Sequence, residues 1–124
     1  MLVKATIKFK KKGGPITIEI KPKYATLGSY SIAFTLNSAT TKLGDGKLED
    51  GIPDVYILPV AVSDLPATKV YIAGTYVPAP GHNQVDVEYH FLQDGEECGG
   101  DNPIIIEQVK EAVSVTHSIK FEQA

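Results

Sequence analysis

Apolar and polar residues alternate with a period of two along much of this chain. The alternation is clearest in residues 28–36, where Tyr30, Ile32 and Phe34 are separated by small or polar residues. The same pattern occurs in residues 4–10, 15–21, 68–76, 84–92 and 113–121. Each such strand has one hydrophobic face, and two packed sheets bury those faces together. The pattern predicts an all-β fold: a two-sheet antiparallel β-sandwich, immunoglobulin-like or jelly-roll-like, with about seven or eight strands.

Three segments add detail to this prediction. Residues 4–10 and 15–21 are predicted to form a hairpin, because the glycines between them suit a turn. Residues 55–62 are almost wholly apolar but contain Pro59, which has no N–H for a ladder, so they are predicted to form an edge or bulged strand. Residues 103–112 favour a strand through their isoleucines, with a short proline-started helix as the alternative.

Composition indicates one ordinary domain over residues 1–124. The single cysteine, Cys98, excludes an intramolecular disulfide. Lysines interrupt the apolar residues that follow Met1, so no export signal is recognised and a cytoplasmic location is expected. No apolar run approaches the roughly 20 residues of a membrane-spanning helix, and no membrane association is predicted.

The charges of the chain are unevenly distributed. All 12 basic residues are lysines, and without the bidentate arginine side chain nucleic-acid binding is not expected. The net charge is −3, yet the first 24 residues hold most of the lysines and Glu19 as their one acid. This segment could present a basic face to an acidic partner, which could be a second copy of the chain. Alternatively, its lysines could protect an edge hairpin from aggregation.

The candidate binding surface is a set of loops. Residues 37–54 are too long for an unstructured connection, and a small extra hairpin centred on residues 44–46 would shorten it. If strands alternate in direction, this connection, the turn at residues 11–14 and the turn at residues 78–83 lie at one end of the sandwich. The predicted ligand- or partner-binding residues there are Lys11, Lys12, Asp45, Glu49, Asp50, Asp54, His82 and Asn83.

Acidic loops with glycines also suit calcium, which prefers six to eight oxygen ligands. The spacing after Asp45 matches no calcium-loop pattern, however. The same alternation of strand direction places the loop after Leu36 and the loop after Leu92 at opposite ends of the sandwich, where they cannot share an ion. Calcium is therefore kept as an accessory to the alternative function, and no metal site or cofactor is predicted.

Individual reactive residues point away from catalysis. Cys98 lies among acids, which disfavour its thiolate. His117 falls on an apolar strand face, as a core histidine does, whereas His90 could pair with Glu88 or Asp86. No nucleophile elbow, phosphate loop or zinc-protease motif occurs.

These observations predict a non-enzymatic β-sandwich that acts as a protein–protein interaction module or assembly subunit. Residues 55–62 are the predicted docking edge, because an apolar edge strand can pair with another chain. The alternative is a small-ligand or carbohydrate-binding domain that uses the end loops, with or without calcium.

Overall fold

In the computed structural model, which describes residues 1–23, 26–48, 51–109 and 111–124, the chain forms two packed β-sheets. The strands are β1 (Leu2–Phe9), β2 (Thr17–Lys23), β3 (Thr26–Leu36), β4 (Ala39–Leu48), β5 (Asp54–Ile57), β6 (Lys69–Pro78), β7 (Gln84–Gln93), β8 (Glu96–Glu97), β9 (Gly99–Gly100), β10 (Ile104–Val109) and β11 (Val113–Gln123). A 3-10 helix spans Val62–Ala67. The six-stranded sheet has the order β4-β3-β6-β11-β1-β9, and the five-stranded sheet has the order β10-β7-β2-β5, with β8 paired to β7.

The predicted all-β sandwich is confirmed, and alternation explains it. In β2, Ile18 and Ile20 are completely buried, while Glu19 between them is only half-buried. Ile32 on β3 and Ile72 on β6 are completely buried in the same core from the other sheet. Among the described residues, no helix has the length and apolar character that crossing a membrane requires.

The prediction of wholly antiparallel sheets is wrong for one pair of strands. β1 pairs in parallel with β11, from Leu2 opposite Thr116 to Phe9 opposite Gln123. The strand count is also higher than expected. β8 and β9 are too short to produce a period, and β4 is rich in polar residues and glycine.

The predicted N-terminal hairpin is wrong, because β1 and β2 belong to different sheets. The turn after β1 carries the chain across the sandwich instead of reversing it within one sheet. Gln93 holds this crossing in place: its Oε1 accepts from Lys10 N at 2.8 Å, and its Nε2 donates to Gly14 O at 3.0 Å. The alternating pattern identified both strands correctly but carried no information on which sheet each strand joins.

The predicted small hairpin within residues 37–54 is also wrong. Asn37 and Ser38 have φ values of 54° and 63°, as in the two-residue turns that join hairpins. The chain then returns along β3 as the continuous strand β4, with a register irregularity between Ile32 and Ala33.

Two further segments follow the sequence predictions. Residues 104–109 form strand β10 rather than the alternative helix. β5 lies at the edge of the five-stranded sheet, as Pro59 indicated, although the strand ends at Ile57 and is shorter than predicted.

Candidate functional site

The structure divides the predicted end-loop surface between two ends of the sandwich. Lys11 and Lys12 follow β1, whose last residues lie beside the end of β11. His82 and Asn83 follow β6, and its residue Tyr76 lies opposite Val113 at the start of β11. The turn with Lys11 (the Lys11 end) and the turn with His82 (the His82 end) are therefore a strand length apart. These four residues do not form one surface.

The acidic candidates occupy other positions. Asp45 is exposed on β4, opposite Ser31, and forms an ion pair with Lys42. Asp54 begins β5 and is half-buried. Glu49 and Asp50 lie outside the described residues. Among the described residues, no three histidine, cysteine or acidic side chains converge to hold a metal ion.

Asp54 belongs to a hydrogen-bond network that joins the two sheets. The Tyr30 hydroxyl, from β3, donates to Asp54 Oδ2 and lies 2.7 Å from the Tyr56 hydroxyl. The two tyrosine rings meet edge to face, with centroids 6.1 Å apart. Burial, reinforced by the hydrogen bonds to Asp54 and Tyr56, raises the pKa of Tyr30 well above its ordinary value. Gly46 leaves room for this contact, since a Cβ there would lie 2.5 Å from Tyr30 Oη.

β5 is inverted relative to an ordinary edge strand of a sandwich. Its polar residues, Asp54 and Tyr56, point to the other sheet and make the network just described. Its apolar residues, Val55 and Ile57, face solvent with 57% and 65% of their surface exposed. Edge strands usually turn apolar side chains inward and polar ones outward. Val55 and Ile57, here called the β5 patch, are thus an apolar surface at an open edge.

The other edges carry the features that discourage strand pairing. β4 has Lys42, Lys47 and a register irregularity, all of which are known edge protections. β10 exposes Ile105 but also carries Glu107. β9 covers part of β1. β5 has no lysine, and its protections are its shortness and the inward-pointing carboxylate of Asp54.

Four of the seven N-terminal lysines form ion pairs within the chain. Lys8 pairs with Glu122 at 2.6 Å, and Lys21 pairs with Glu19 at 3.2 Å. Two longer pairs join Lys10 to Glu96 and Lys23 to Glu88, at 3.5 and 3.8 Å. The asymmetry seen in the sequence therefore produces a weaker basic face than expected. Lys4, Lys11 and Lys12 have no ion pair among the described residues.

A groove of about 600 Å³ lies on the outer face of the six-stranded sheet. Its floor consists of short side chains, which are Ser29, Ser31, Ala73, Thr75, Ser114 and Thr116. Asp45 and Lys47 lie on one side and Met1 on the other. Sequence reasoning missed this groove because its lining comes from four separate strands.

His90 has two carboxylate partners rather than one. Its Nε2 lies 2.8 Å from Glu88 Oε1, which confirms the predicted pairing, and its Nδ1 contacts Glu97 Oε1. Asp86, the other predicted partner, is buried and has no described contact with His90. Glu97 was missed because it lies on the two-residue strand β8, after a turn that returns the chain to β7.

Cys98 and His117 occupy the environments that the sequence suggested. Burial, with a smaller contribution from Glu97, raises the pKa of the Cys98 thiol to about 11, so the thiolate is scarce at neutral pH. His117 is buried with its ring edge to face with Tyr89, centroids 5.5 Å apart. Its Nδ1 has no hydrogen-bond partner among the described residues.

No protein-family model matches the chain, and neither does any curated protein or solved structure.

Proposed function

We propose that this chain is a non-enzymatic assembly subunit that binds a second copy of itself through the edge of β5. The inverted alternation of β5 carries the proposal. An isolated domain gains nothing by directing Val55 and Ile57 to water, whereas an interface buries them. A second chain also satisfies the backbone groups on the open side of the strand.

The network beneath β5 supports this role, because it orders the strand before binding. Among the strands that the structure describes, β5 pairs with β2 alone. The contacts of Tyr30 with Asp54 and Tyr56 tie it to the opposite sheet as well. A strand held in its bound conformation loses less conformational entropy on association.

The sequence of β5 is compatible with pairing to itself. Two antiparallel copies centred on Tyr56 place Val55 of one copy opposite Ile57 of the other. Directly opposed residues share a face of the sheet, so the two β5 patches would form a single apolar cluster. No charged side chain lies at either of these opposed positions.

Light scattering over a protein concentration series tests the proposal. We expect the mass to rise toward a dimer between about 10 μM and about 1 mM protein. Raising the salt from about 0.05 M to about 0.5 M should leave dimerisation unchanged, because the contact is apolar. A mass that falls with salt would instead favour the basic N-terminal segment as the contact.

Substitutions on the two edges of one sheet provide the matched comparison. Ile57→Lys should raise the dimer dissociation constant at least roughly tenfold, because an ammonium group would enter the apolar cluster. Ile105→Lys is the control, since Ile105 is 53% exposed on β10, at the other edge. A wild-type monomer throughout the series, or equal effects of the two substitutions, would contradict the proposal.

The outer-face groove supports a second candidate, binding of a small polar ligand such as a carbohydrate. Its hydroxyl-bearing floor, flanked by Asp45 and Lys47, offers donors and acceptors to a polyhydroxylated molecule. A panel of monosaccharides titrated into the labelled protein should shift the amide resonances of Ser31 and Thr75 if this candidate is correct. The same titrations should be made with calcium present and, as a control, with a chelator in its place.

A further inference from the structure

Asp86 is a buried carboxylate on the outer face of the five-stranded sheet. Its neighbours along β7, Val85 and Val87, belong to the core, so the side chain of Asp86 points away from the core. Only 7% of its surface is nevertheless exposed, and its Oδ1 has no hydrogen-bond partner among the described residues. Burying an ionised carboxylate without a partner is costly, and such groups normally face a cation or hydrogen-bond donors.

A second carboxylate lies directly beside Asp86. Glu107 on β10 is opposite Asp86 in the strand register, and its side chain is exposed. Like charges at directly opposed positions destabilise a sheet. Burial, with smaller contributions from Glu107 and Glu88, raises the pKa of Asp86 above its ordinary value. A cation between the two carboxylates would remove this repulsion.

The lysine on the other side of Asp86 is directed elsewhere. Lys23 is opposite Asp86 on β2, but the ion pair that it forms is with Glu88, at 3.8 Å. Its charge offsets the raised pKa of Asp86 only in part. Among the described residues, neither Asp86 nor Glu107 forms an ion pair or a side-chain hydrogen bond. The two carboxylates are therefore free to bind a cation from outside.

The backbone of Asp86 is held in place where β2 ends. The buried Thr26 hydroxyl accepts a hydrogen bond from Asp86 N at 2.9 Å. The same hydroxyl donates to Lys23 O at 2.9 Å, which joins the end of β2 to this point of β7. A carboxylate on a fixed backbone loses little conformational entropy when it binds a ligand.

Glu107 lies on an open edge of the sheet. Among the described strands, β10 pairs with β7 alone. Ile105, two positions before Glu107, shares its face of the strand and is 53% exposed. The carboxylate of Glu107 discourages an acidic strand from pairing with this edge, but it attracts a strand that carries a cation.

The arrangement of the two carboxylates favours one kind of cation. No three histidine, cysteine or acidic side chains converge on a metal ion in the part of the chain that the structure describes. A guanidinium group can donate to two carboxylates at once, and it is less strongly hydrated than an ammonium group, which suits a partly buried site. The sequence contains no arginine, so a second copy of it does not supply this group.

We propose that Asp86 and Glu107 bind an arginine side chain of another protein, carried on an extended segment that pairs with the edge of β10. The segment adds a strand to the sheet, about 4.8 Å from β10. Its guanidinium group lies between the two carboxylates, and an apolar residue two positions away packs against Ile105. β5 is the opposite edge of the same sheet, so this site is separate from the proposed self-association site.

Titration with two capped peptides tests the proposal. The probe has one central arginine in an alternating valine–threonine sequence, and the control peptide has citrulline, a neutral isostere, in its place. The arginine peptide should shift the amide resonances of Ile105 and Glu107 and bind at least roughly tenfold more tightly than the citrulline peptide. Raising the salt from about 0.05 M to about 0.5 M should reduce this difference.

Substitution of the buried carboxylate separates binding from folding. Asp86→Asn should weaken binding of the arginine peptide roughly tenfold or more, because a neutral amide does not compensate the guanidinium charge. Its melting temperature should not fall, because the repulsion between Asp86 and Glu107 is removed. Asp64→Asn is the matched control, since Asp64 is an exposed acid in the 3-10 helix, and it should leave binding unchanged.

Glu107→Gln is the second variant, and it should weaken binding about threefold because this carboxylate is exposed. Equal binding of the arginine and citrulline peptides would overturn the proposal. So would unchanged affinity in both Asp86→Asn and Glu107→Gln, or resonance shifts at Val55 and Ile57 instead of Ile105. Calcium chloride alone is the last probe, and saturable shifts at Glu107 would replace the arginine with a metal ion.

Discussion

His117 shows how a single buried side chain couples the stability of this fold to pH. Burial lowers its pKa below the ordinary value of 6.5. The unfolded chain therefore takes up a proton at a higher pH than the folded chain, and acid favours unfolding. The contribution of His117 to stability is complete above the unfolded pKa and is lost as the pH falls below it.

Replacing His117 with an apolar ring should remove this dependence. In His117→Phe the edge contact with Tyr89 can persist, while the unpaired Nδ1 is removed. We expect the free energy of unfolding to rise by about 1 kcal/mol at pH 7 and by more at pH 5. Urea unfolding at the two pH values measures this, with His82→Gln as the exposed control. If the stability of His117→Phe depended on pH as the wild type does, His117 would not be the source of that dependence.

The sequence predicted a side-chain contact correctly where both residues lie on the same strand. His90 and Glu88 are two positions apart in β7, so strand geometry was sufficient to place them together. Glu97 and the Tyr30–Asp54 contact depend on how the chain returns after a turn or across the sandwich, which no local pattern specifies. The sequence of β5 alternates polar and apolar residues, but it does not say which set faces the other sheet. Only the structure shows that the apolar set faces solvent.

At the scale of elements, one missed strand changed the predicted location of every later loop. β4 was treated as part of a connection because its glycines and lysines hide the alternation. Strands alternate in direction from β1 to β7, so omitting one strand reverses the end to which each following turn is assigned. His82 was therefore placed with Lys11, and the loops after Leu36 and Leu92 were separated, although both lie at the Lys11 end.

The turn that starts β4 offers a direct test of its geometry. Ser38 has a φ of 63°, a conformation that glycine adopts without the steric penalty of other residues. Ser38→Gly should raise the free energy of unfolding by up to about 1 kcal/mol. Ser29→Gly, in the extended part of β3, is the matched control and should lower it by about 0.5 to 1 kcal/mol. Thermal unfolding distinguishes them, and destabilisation by Ser38→Gly would contradict the turn assignment.

For the whole molecule, alternation and composition predicted a sandwich correctly but left its topology undetermined. The pairing of β1 with β11 joins the first strand to the last. Such contacts close very long loops, which slows folding.

We therefore expect refolding from urea to take milliseconds to seconds, the range typical of β-sandwiches with many long-range contacts. Tyrosine fluorescence in a stopped-flow instrument can follow it, since the chain has six tyrosines and no tryptophan. Refolding completed within microseconds would indicate that the β1–β11 pairing forms outside the rate-limiting step.

The same parallel pair determines how the molecule bears tension. Force applied through Met1 and Ala124 pulls β1 toward the His82 end and β11 toward the Lys11 end, along the axes of the two strands. The pair is loaded in shear. The hydrogen bonds that join residues 2–9 of β1 to residues 116–123 of β11 therefore share the load instead of breaking one after another. The β1–β11 pair is thus a mechanical clamp, and copies joined end to end would resist extension until this clamp ruptures.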